Sequence, residues 1–372
     1  MKKVIFALAA VVALAACSQE DVIVADKGAA IGFDTFVENS TRSVYDPSYT
    51  NDKLFANFGV FGTVEGAELF NNKTVTGSEI KGTWAYEGTQ YWIAGAKYNF
   101  AAVAPKTVKV NDVDTDVYTN ASYAVTSSEV EGKTVYTGTT TLSFANNGKI
   151  DLLYAEATAE GKAGSGDAEK PANAKVGFNF RHVLSKVKFS FENAYNATNA
   201  TIRVENVKIH DAYASGSVVL DDETVWTPVT TGDMLELDFG KATDNAATTD
   251  VKEAVDVAFE CGKTYESHNE LLMIPGQGAS TYTVTNADNT TTTEYKDVYK
   301  VTFDVVLLVS GKVIDTYEHT IYTTFAPVAG MRYNLKAVID ATNIDPAHAQ
   351  EPIEFTVNKI KDWDAETTVK LN

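Results

Sequence analysis

Residues 201–209, "TIRVENVKI", set the fold class of this chain. Ile202 and Val204 alternate with polar residues, and Val207 and Ile209 resume that alternation one residue late. Alternation with a period of two is typical of a β-strand with one buried face. Because all four apolar side chains reach one face only if the strand contains a bulge, we predict a bulge near Glu205.

The same pattern recurs along the chain, between turn residues spaced about eight to twelve positions apart. Other strand-like stretches are "KVKFSF" at 186–191, "YKVTFDVVLL" at 299–308 and "KVIDTYEHTIY" at 312–322. Convincing amphipathic helices are scarce, and "VKEAVDVAF" at 251–259 suits either a helix or a strand. Many short strands joined by turns predict an all-β protein built from sandwiches rather than from one large barrel.

The segment at 159–174, "AEGKAGSGDAEKPANA", is the best candidate for a boundary between two sandwiches. It is rich in Gly, Ala, Ser and charged residues and lacks large apolar side chains, as expected of an exposed loop or linker. We therefore predict an N-terminal β-sandwich at 43–165 and a C-terminal β-sandwich at 166–372. The chain is long enough to bury two ordinary cores.

Residues 1–16 have the features of an export signal. Lys2 and Lys3 precede an unbroken apolar run at 4–15, which is shorter than the roughly 20 residues that a membrane-spanning helix needs. The ending "LAAC" resembles the lipobox of bacterial lipoproteins, which predicts cleavage between Ala16 and Cys17 and lipid attachment at Cys17. Several acyl chains together give a lasting membrane anchor. The alternative is an ordinary cleaved signal with an incidental cysteine.

The acidic residues "SQED" directly after Cys17 resemble the tethers of surface-exposed lipoproteins of the Bacteroidetes phylum. A solvated, flexible leader fits the same four residues. We expect the mature protein to be exposed on the outer face of the outer membrane.

The charge of the chain narrows the choice of partners. Its formal net charge is −19 at pH 7. That much negative charge keeps an exported protein soluble and argues against nucleic acid or an anionic membrane surface as a partner. With Cys17 committed to lipid, Cys261 has no cysteine to pair with, so we expect no disulfide to stabilise the fold. Cys261 also lacks a nearby histidine in sequence, and we expect its thiol to be buried.

Signals for metal binding are weak. Asp112, Asp114 and Asp116 have the spacing that opens a calcium loop, but Val117 stands at the turn glycine and Tyr123 at the closing glutamate. A solvated hairpin is the favoured interpretation. The five histidines have no metal-ligand spacing, and His182 is predicted to be structural.

Signals for catalysis or sugar binding are also weak. No acid–base or nucleophile constellation is visible, so we expect neither an enzyme nor a bound cofactor or metal. Trp84, Tyr91 and Trp92 could form a sugar-stacking platform, but packing in a core is the favoured interpretation.

Five motifs resemble, in their order along the chain, those of the fimbrillin family, the lipoprotein pilins of Bacteroidetes. They are "WAYEGTQYWIAGAKYNFAAVAP" at 84–105, "DLLYA" at 151–155, "FNFRHVLSKVKF" at 178–189, "LMIPG" at 272–276 and "GMRYNL" at 330–335. The tail adds Ile360 and Trp363, which fit the "I-x-x-W" ending, so the resemblance runs from the lipobox to residue 363. One departure is Phe325, where the family pattern has a tryptophan.

The resemblance implies two transthyretin-like β-sandwiches in tandem, and assembly by strand exchange after a protease removes the first strand at an arginine. The candidate removable strand is 29–37, "AAIGFDTFV", in which Ile31, Phe33 and Phe36 offer apolar side chains. An Arg-specific protease is then expected to cut the polar segment that follows, between Arg42 and Ser43. The alternative is that Arg42 is an ordinary surface residue in a loop.

The other three arginines are poor protease sites, because they lie inside strand-like runs. They are Arg181, Arg203 and Arg332.

The tail at 351–372 is the candidate donor that would replace the lost strand in a neighbouring subunit. Ile353, Phe355 and Val357 alternate and are predicted to stay in the chain's own second sandwich. The last six residues, "TTVKLN", are predicted to be freer, with Val369 and Leu371 as donor side chains. If the whole tail packs internally, we expect a tip or anchor subunit instead.

Together with the lipobox, the resemblance predicts a structural subunit of a cell-surface fimbria that mediates adhesion. Its partners would be other fimbrial subunits in a head-to-tail polymer, the membrane through the lipid anchor, and a ligand on a host or bacterial surface. The alternatives are a fimbrial tip or anchor accessory subunit, or a glycan-binding surface lipoprotein.

Overall fold

The computed structural model describes residues 29–37, 55–78, 83–162, 175–243, 258–285, 292–344, 355–361 and 365–368. Its first twelve strands are β1 Phe33–Val37, β2 Asn57–Val64, β3 Ala67–Ser78, β4 Thr83–Ala85, β5 Lys97–Ala104, β6 Thr107–Val110, β7 Val113–Asp116, β8 Tyr118–Val130, β9 Lys133–Ala145, β10 Leu153–Glu160, β11 Val176–His182 and β12 Ser185–Asn193.

The remaining elements are β13 Ala200–Ala212, β14 Ser215–Leu220, β15 Thr224–Pro228, β16 Leu235–Gly240, β17 Ala242–Thr243, β18 Thr264–Ser267, β19 Leu271–Met273, β20 Ser280–Thr285, β21 Thr292–Val309, β22 Lys312–Thr323, β23 Arg332–Ile339, α1 Ala341–Ile344, β24 Phe355–Lys361 and β25 Ala365–Thr368. Strands dominate, and α1 is a single helical turn. The all-β class predicted from the alternating pattern is confirmed.

The first sandwich consists of two sheets. A seven-stranded sheet has the order β1-β11-β10-β5-β2-β3-β4, and a four-stranded sheet has the order β15-β14-β9-β8. Between the two sheets lies a core that includes Phe61, Val103 and Tyr154 from the first sheet and Leu142 and Phe144 from the second. The four-stranded sheet therefore buries one face and leaves the other to solvent.

The other face of the seven-stranded sheet has its own aromatic core. The sheet curls so far that its two outer strands contact each other. The Trp84 indole of β4 donates a hydrogen bond to Thr35 of β1 over 3.1 Å. The curl encloses Phe58, Phe100 and Phe178, which are all at most 1% exposed.

Strand pairing crosses residue 165, where the sequence predicts a boundary between sandwiches. β11 follows that point but pairs with β10, with Leu153 opposite His182. β14 also follows it and pairs with β9, with Val218 opposite Leu142. The first sandwich therefore takes three strands, β11, β14 and β15, from the part of the chain that the sequence assigns to the second.

The second sandwich packs two further sheets around a separate core. One sheet has the order β17-β18-β12-β23-β24-β25, with β19 also paired to β12. The other has the order β16-β13-β21-β20, with β22 also paired to β21. Phe189, Phe303 and Leu335 are among the fully buried residues between them.

The bulge predicted near Glu205 is confirmed. The pairing of β13 with β21 shifts register between Glu205 and Lys208, and Asn206 has a positive φ of 54°. This extra residue brings the apolar side chains before and after it to the same buried face. The four are Ile202, Val204, Val207 and Ile209, none more than 1% exposed.

The weak metal and histidine signals have structural explanations. β6 and β7 form a hairpin in which Lys109 and Asp114 make an exposed ion pair of 2.8 Å. His182 is buried with its Nδ1 2.7 Å from Oδ2 of Asp151. In the described part of the chain, no group of three or more His, Cys, Asp or Glu residues could hold a metal ion.

One expectation about the core is wrong. Cys261 is exposed, since it lies in the turn before β18 rather than on an inward strand position. The buried position nearby is Phe259, two residues earlier. No helix among the described residues has the length and apolar character to cross a membrane.

Candidate functional site: an edge strand in an aromatic slot

β1 is an edge strand of the seven-stranded sheet. It runs parallel to β11, in a register that places Phe33 opposite Val176 and Val37 opposite Phe180. The amide of Val176 also donates to the carbonyl of Gly32 over 2.7 Å. Within this sheet, β1 pairs with β11. Loss of β1 would therefore expose unpaired backbone groups of β11.

The chain before β1 is held on its other side by the segment at 86–92. The Ile31 amide donates to the carbonyl of Gln90 over 2.9 Å, and the Trp92 amide donates to the carbonyl of Ala29 over 3.1 Å. The hydroxyl of Tyr86 donates to the carbonyl of Ile31 over 2.9 Å and accepts a bond from the Gln90 amide. Burial raises the pKa of Tyr86, which keeps the hydroxyl protonated and able to donate.

Phe33 fills the centre of an aromatic slot. Its side chain is 1% exposed, and five rings surround it with centroid distances of 5.5–6.4 Å. Those rings belong to Phe58, Phe70, Tyr86, Phe100 and Phe178. Removal of β1 would therefore leave a slot that is lined by aromatic side chains and bordered by unpaired backbone groups.

Ile31 and Thr35 flank Phe33 on the same face of the strand. Ile31 is 2% exposed and Thr35 is 7% exposed. Burial of a large apolar side chain stabilises by about 1.5–3 kcal/mol, so Ile31 and Phe33 together contribute about 3–6 kcal/mol. On the outer face, Asp34 pairs with Lys175 over 2.8 Å, but both side chains are well exposed. Such an exposed ion pair contributes about 0–1 kcal/mol.

The structure brings Ile31 and Phe33, two residues of the predicted removable strand, into one slot. Phe36 belongs to β1 and pairs with Asn179, but its side chain lies outside the described part of the molecule. Ala16, Cys17, Arg42 and Ser43 lie outside the described residues, as do Val369 and Leu371.

Sequence reasoning singled out the "WAYEGTQYW" stretch but missed that it holds β1. Its pairing with the chain at 29–31 joins residues about 60 positions apart, and no periodicity within either segment reports such a contact. The signal available in the sequence was the density of aromatic residues alone.

The tail forms a hairpin on the second sandwich. β24 pairs with β23, with Phe355 opposite Ala337, and the Phe355 ring lies 5.4 Å from that of Phe189 in the core. β25 is the edge strand of that sheet and pairs with β24, where Thr368 lies opposite Asn358. Thr367 and Thr368, which the sequence assigns to the freer piece, are therefore paired within their own chain.

Trp84 and Trp92 do not form a sugar-stacking platform. Trp92 is 3% exposed and packs edge-on against Tyr98, with 4.7 Å between ring centroids. Trp84 is half-buried and stacks on Phe55. The favoured prediction of core packing is confirmed for Trp92.

The three arginines predicted to be poor protease sites lie in strands. Arg181 is in β11, Arg203 in β13 and Arg332 in β23.

The fold and this site define a class: an all-β protein of two sandwiches whose first described strand is an edge strand set in an aromatic slot. The sequence model of the fimbrillin-like family matches residues 41–363, and the chain therefore belongs to that family. This confirms the resemblance seen in the motifs. No curated protein matches the chain in sequence.

Solved structures that match this chain include two from the genus Bacteroides. A fimbrial protein from Bacteroides vulgatus matches with a TM-score of 0.51 and 18% identity, covering 90% of this chain and 99% of that one. A candidate cell adhesion protein from Bacteroides uniformis matches with a TM-score of 0.42 and 16% identity, covering 90% of this chain and 98% of that one. At this level of identity, the first of these likenesses shows a shared fold and no more.

Proposed function

We propose that this protein is a structural subunit of an adhesive cell-surface fimbria, exported as a lipoprotein through Cys17 and assembled by strand exchange. Membership of the fimbrillin-like family supports the fimbrial role. The observation that carries the assembly mechanism is the position of β1. It is an edge strand with buried Phe33, it is preceded by buried Ile31, and it is followed in sequence by Arg42.

Cleavage between Arg42 and Ser43 would leave β1 held by non-covalent contacts only. Its departure would open the slot around Phe33, and an extended segment of another subunit could enter by adding a strand to β11. Since the donor fills the slot of a different copy, the contact is head-to-tail and propagates as a fibre.

The donor in this proposal is the end of the tail, with Val369 and Leu371 as its apolar side chains. β25 lies at the edge of its sheet and is four residues long, so release of the segment from 365 onward removes no inner strand. Phe355 keeps β24 fixed to the second core while the end of the tail is exchanged.

The test compares three forms of the purified protein after treatment with an Arg-specific protease. The wild-type chain is expected to be cut once, after Arg42, and then to form ladders of high mass. The Arg42→Ala variant is expected to stay intact and to form no ladder. A chain that lacks 367–372 is expected to be cut but not to polymerise. If the cut wild-type protein remains monomeric at high concentration, polymerisation by strand exchange is refuted.

A tip or anchor accessory subunit is the second candidate, and the home pairing of Thr367 and Thr368 with β24 favours it. Such a subunit would receive a strand but donate none. Mixing it, after cleavage, with a synthetic peptide of residues 365–372 distinguishes the two roles. An accessory subunit would bind the peptide in its slot while failing to polymerise alone.

The lipid anchor is tested separately. Cells that express the wild-type chain and are fed labelled palmitate are expected to yield labelled protein in the outer membrane. The Cys17→Ser variant is expected to carry no label, and a labelled variant would refute attachment at this residue.

A further inference from the structure

The outer face of the four-stranded sheet β15-β14-β9-β8 carries no charged side chain over most of its area. Cross-strand partners share a face, so the register identifies the outward residues. They form rows across the sheet: Thr227, Ser217, Ser143 and Thr119; Val225, Val219, Thr141 and Ser122; then Thr139 and Ala124, Thr137 and Thr126, and Val135 and Ser128. We call these residues the hydroxyl face.

Every residue of the hydroxyl face is exposed or half-exposed, and none is Asp, Glu, Lys, Arg or aromatic. Val219 and Val225 lie side by side on neighbouring strands and are 37% and 52% exposed. The side chains on the opposite face, such as Leu142 and Phe144, are buried in the core between the sheets.

The second sandwich shows what an ordinary solvent face of this protein looks like. On its outer side, Lys208 pairs with Glu236 over 2.6 Å and Arg203 lies 3.1 Å from Glu205. Exposed sheet faces normally carry such charges, which keep them apart from other sheets. In a chain of net charge −19, a broad face without charge is therefore a distinct surface.

The chemistry of the hydroxyl face selects its partner. It offers no cation for nucleic acid, anionic lipid or an acidic polysaccharide, and no aromatic ring on which a sugar could stack. A hydroxyl both donates and accepts hydrogen bonds, so a surface of hydroxyl groups is complementary to itself. The hydroxyls of Ser122 and Thr141 already show this by bonding to each other over 2.7 Å.

Electrostatics favours the same partner. Two copies of this acidic chain repel each other, and charged faces would add carboxylates placed opposite one another. Contact through the hydroxyl face brings no charged side chains together. We propose that this face is a self-association surface that packs against the hydroxyl face of a second copy of this chain.

The size of the face sets the expected strength. Each outward residue covers about 33 Å² of sheet, from a strand spacing of about 4.8 Å and a two-residue repeat of about 6.8 Å, so the rows cover about 450 Å². A stable complex buries about 800 Å² per partner, so a single pair of faces should associate weakly. The contact involves neither β1 nor the tail, and it stands whether or not the proposed strand exchange occurs.

The test measures self-association of the full chain with Cys17→Ser and Arg42→Ala, so that neither a lipid nor strand exchange contributes. Sedimentation equilibrium up to about 1 mM is expected to show a monomer–dimer equilibrium, because interfaces at the small end of the range remain populated there. Raising the NaCl concentration is expected to strengthen association, since salt screens the repulsion between acidic copies.

Charge substitutions locate the surface. The pair Thr141→Glu and Val219→Glu is expected to weaken dimerisation at least tenfold, because like charges then face each other. The matched control, Thr316→Glu and Thr320→Glu on exposed positions of β22, adds the same charge elsewhere and is expected to dimerise as before. The pair Thr141→Lys and Val219→Lys, mixed with the Glu variant, is expected to restore association.

Three results would overturn the proposal. They are a parent protein that stays monomeric up to the highest concentration, a Glu variant that associates as well as the parent, and association that salt abolishes. Unfolding midpoints of all variants serve as the folding control, because Thr141 and Val219 are cross-strand neighbours and two like charges there lower the stability of the sheet.

Discussion

Replacement of Phe33 by alanine tests how firmly β1 is held. The side chain is 1% exposed and lies among five aromatic rings, so the substitution removes nearly all of its contacts. A buried Phe→Ala change costs about 3–5 kcal/mol. Because these contacts are lost when β1 detaches, the free energy of detaching the strand should fall by the same amount.

The assay is amide hydrogen exchange of β1 and of its partner β11. A loss of 3–5 kcal/mol corresponds to an increase in exchange of between about a hundredfold and several thousandfold. The control is Asp34→Ala, which removes an exposed ion pair with Lys175 and should change exchange by no more than about fivefold. The amides of β13, in the other sandwich, provide an internal reference.

Two outcomes would refute this reasoning. Exchange in β1 that stays within about fivefold of wild type would show that Phe33 does not hold the strand, since even a weak ion pair has that effect. Exchange that rises equally in β1 and β13 would show that β1 leaves only when the whole molecule unfolds, and a strand of that kind could not be exchanged in a folded subunit.

Three further predictions concern the rest of the molecule. Burial lowers the pKa of His319, although the Asp304 carboxylate acts in the opposite direction, so the unfolded chain binds this proton more readily than the folded one. The contribution of His319 to the free energy of unfolding should therefore be fully present above about pH 6.5 and fall as the pH drops below it. His319→Phe should reduce that fall, as measured by urea midpoints at pH 7.5 and 5.5, and an unchanged pH dependence would contradict the assignment. Trp92→Ala should lower the free energy of unfolding by about 3–5 kcal/mol, because the indole is 3% exposed, and an unchanged urea midpoint would show that the side chain is not part of the core. In the Cys17→Ser protein, Cys261 should react with a thiol reagent in the folded state and Cys261→Ser should abolish that reaction, whereas labelling that requires denaturant would contradict its exposed position.

The sequence predicted those features that depend on residues close together in the chain. Alternation with one late step predicted both β13 and its bulge, because the burial of Ile202, Val204, Val207 and Ile209 depends on the geometry of that strand alone. The hairpin of β6 and β7 was likewise readable, since its partners are adjacent in the chain. The family followed from motifs, which are local features of sequence.

Pairing between distant strands was not readable. The glycine-rich segment after β10 looks like a boundary, yet β11 beyond it returns to the same sheet, and β14 joins β9 across about 75 positions. Alternation states which face of a strand is buried but not which strand lies beside it. The prediction for Cys261 was wrong because the lack of a partner residue in sequence does not report burial, and this residue lies in an exposed turn before β18.

The sequence by itself determined the strands, their buried faces, the acidic charge and the family of this protein. Only the tertiary structure decided that the segment at 86–92 closes over the start of β1, and that the uncharged outward residues of four strands form one surface. Both arrangements join residues that are far apart in the chain, and such contacts are selected by the burial of whole faces against each other, which is a property of the assembled sheets.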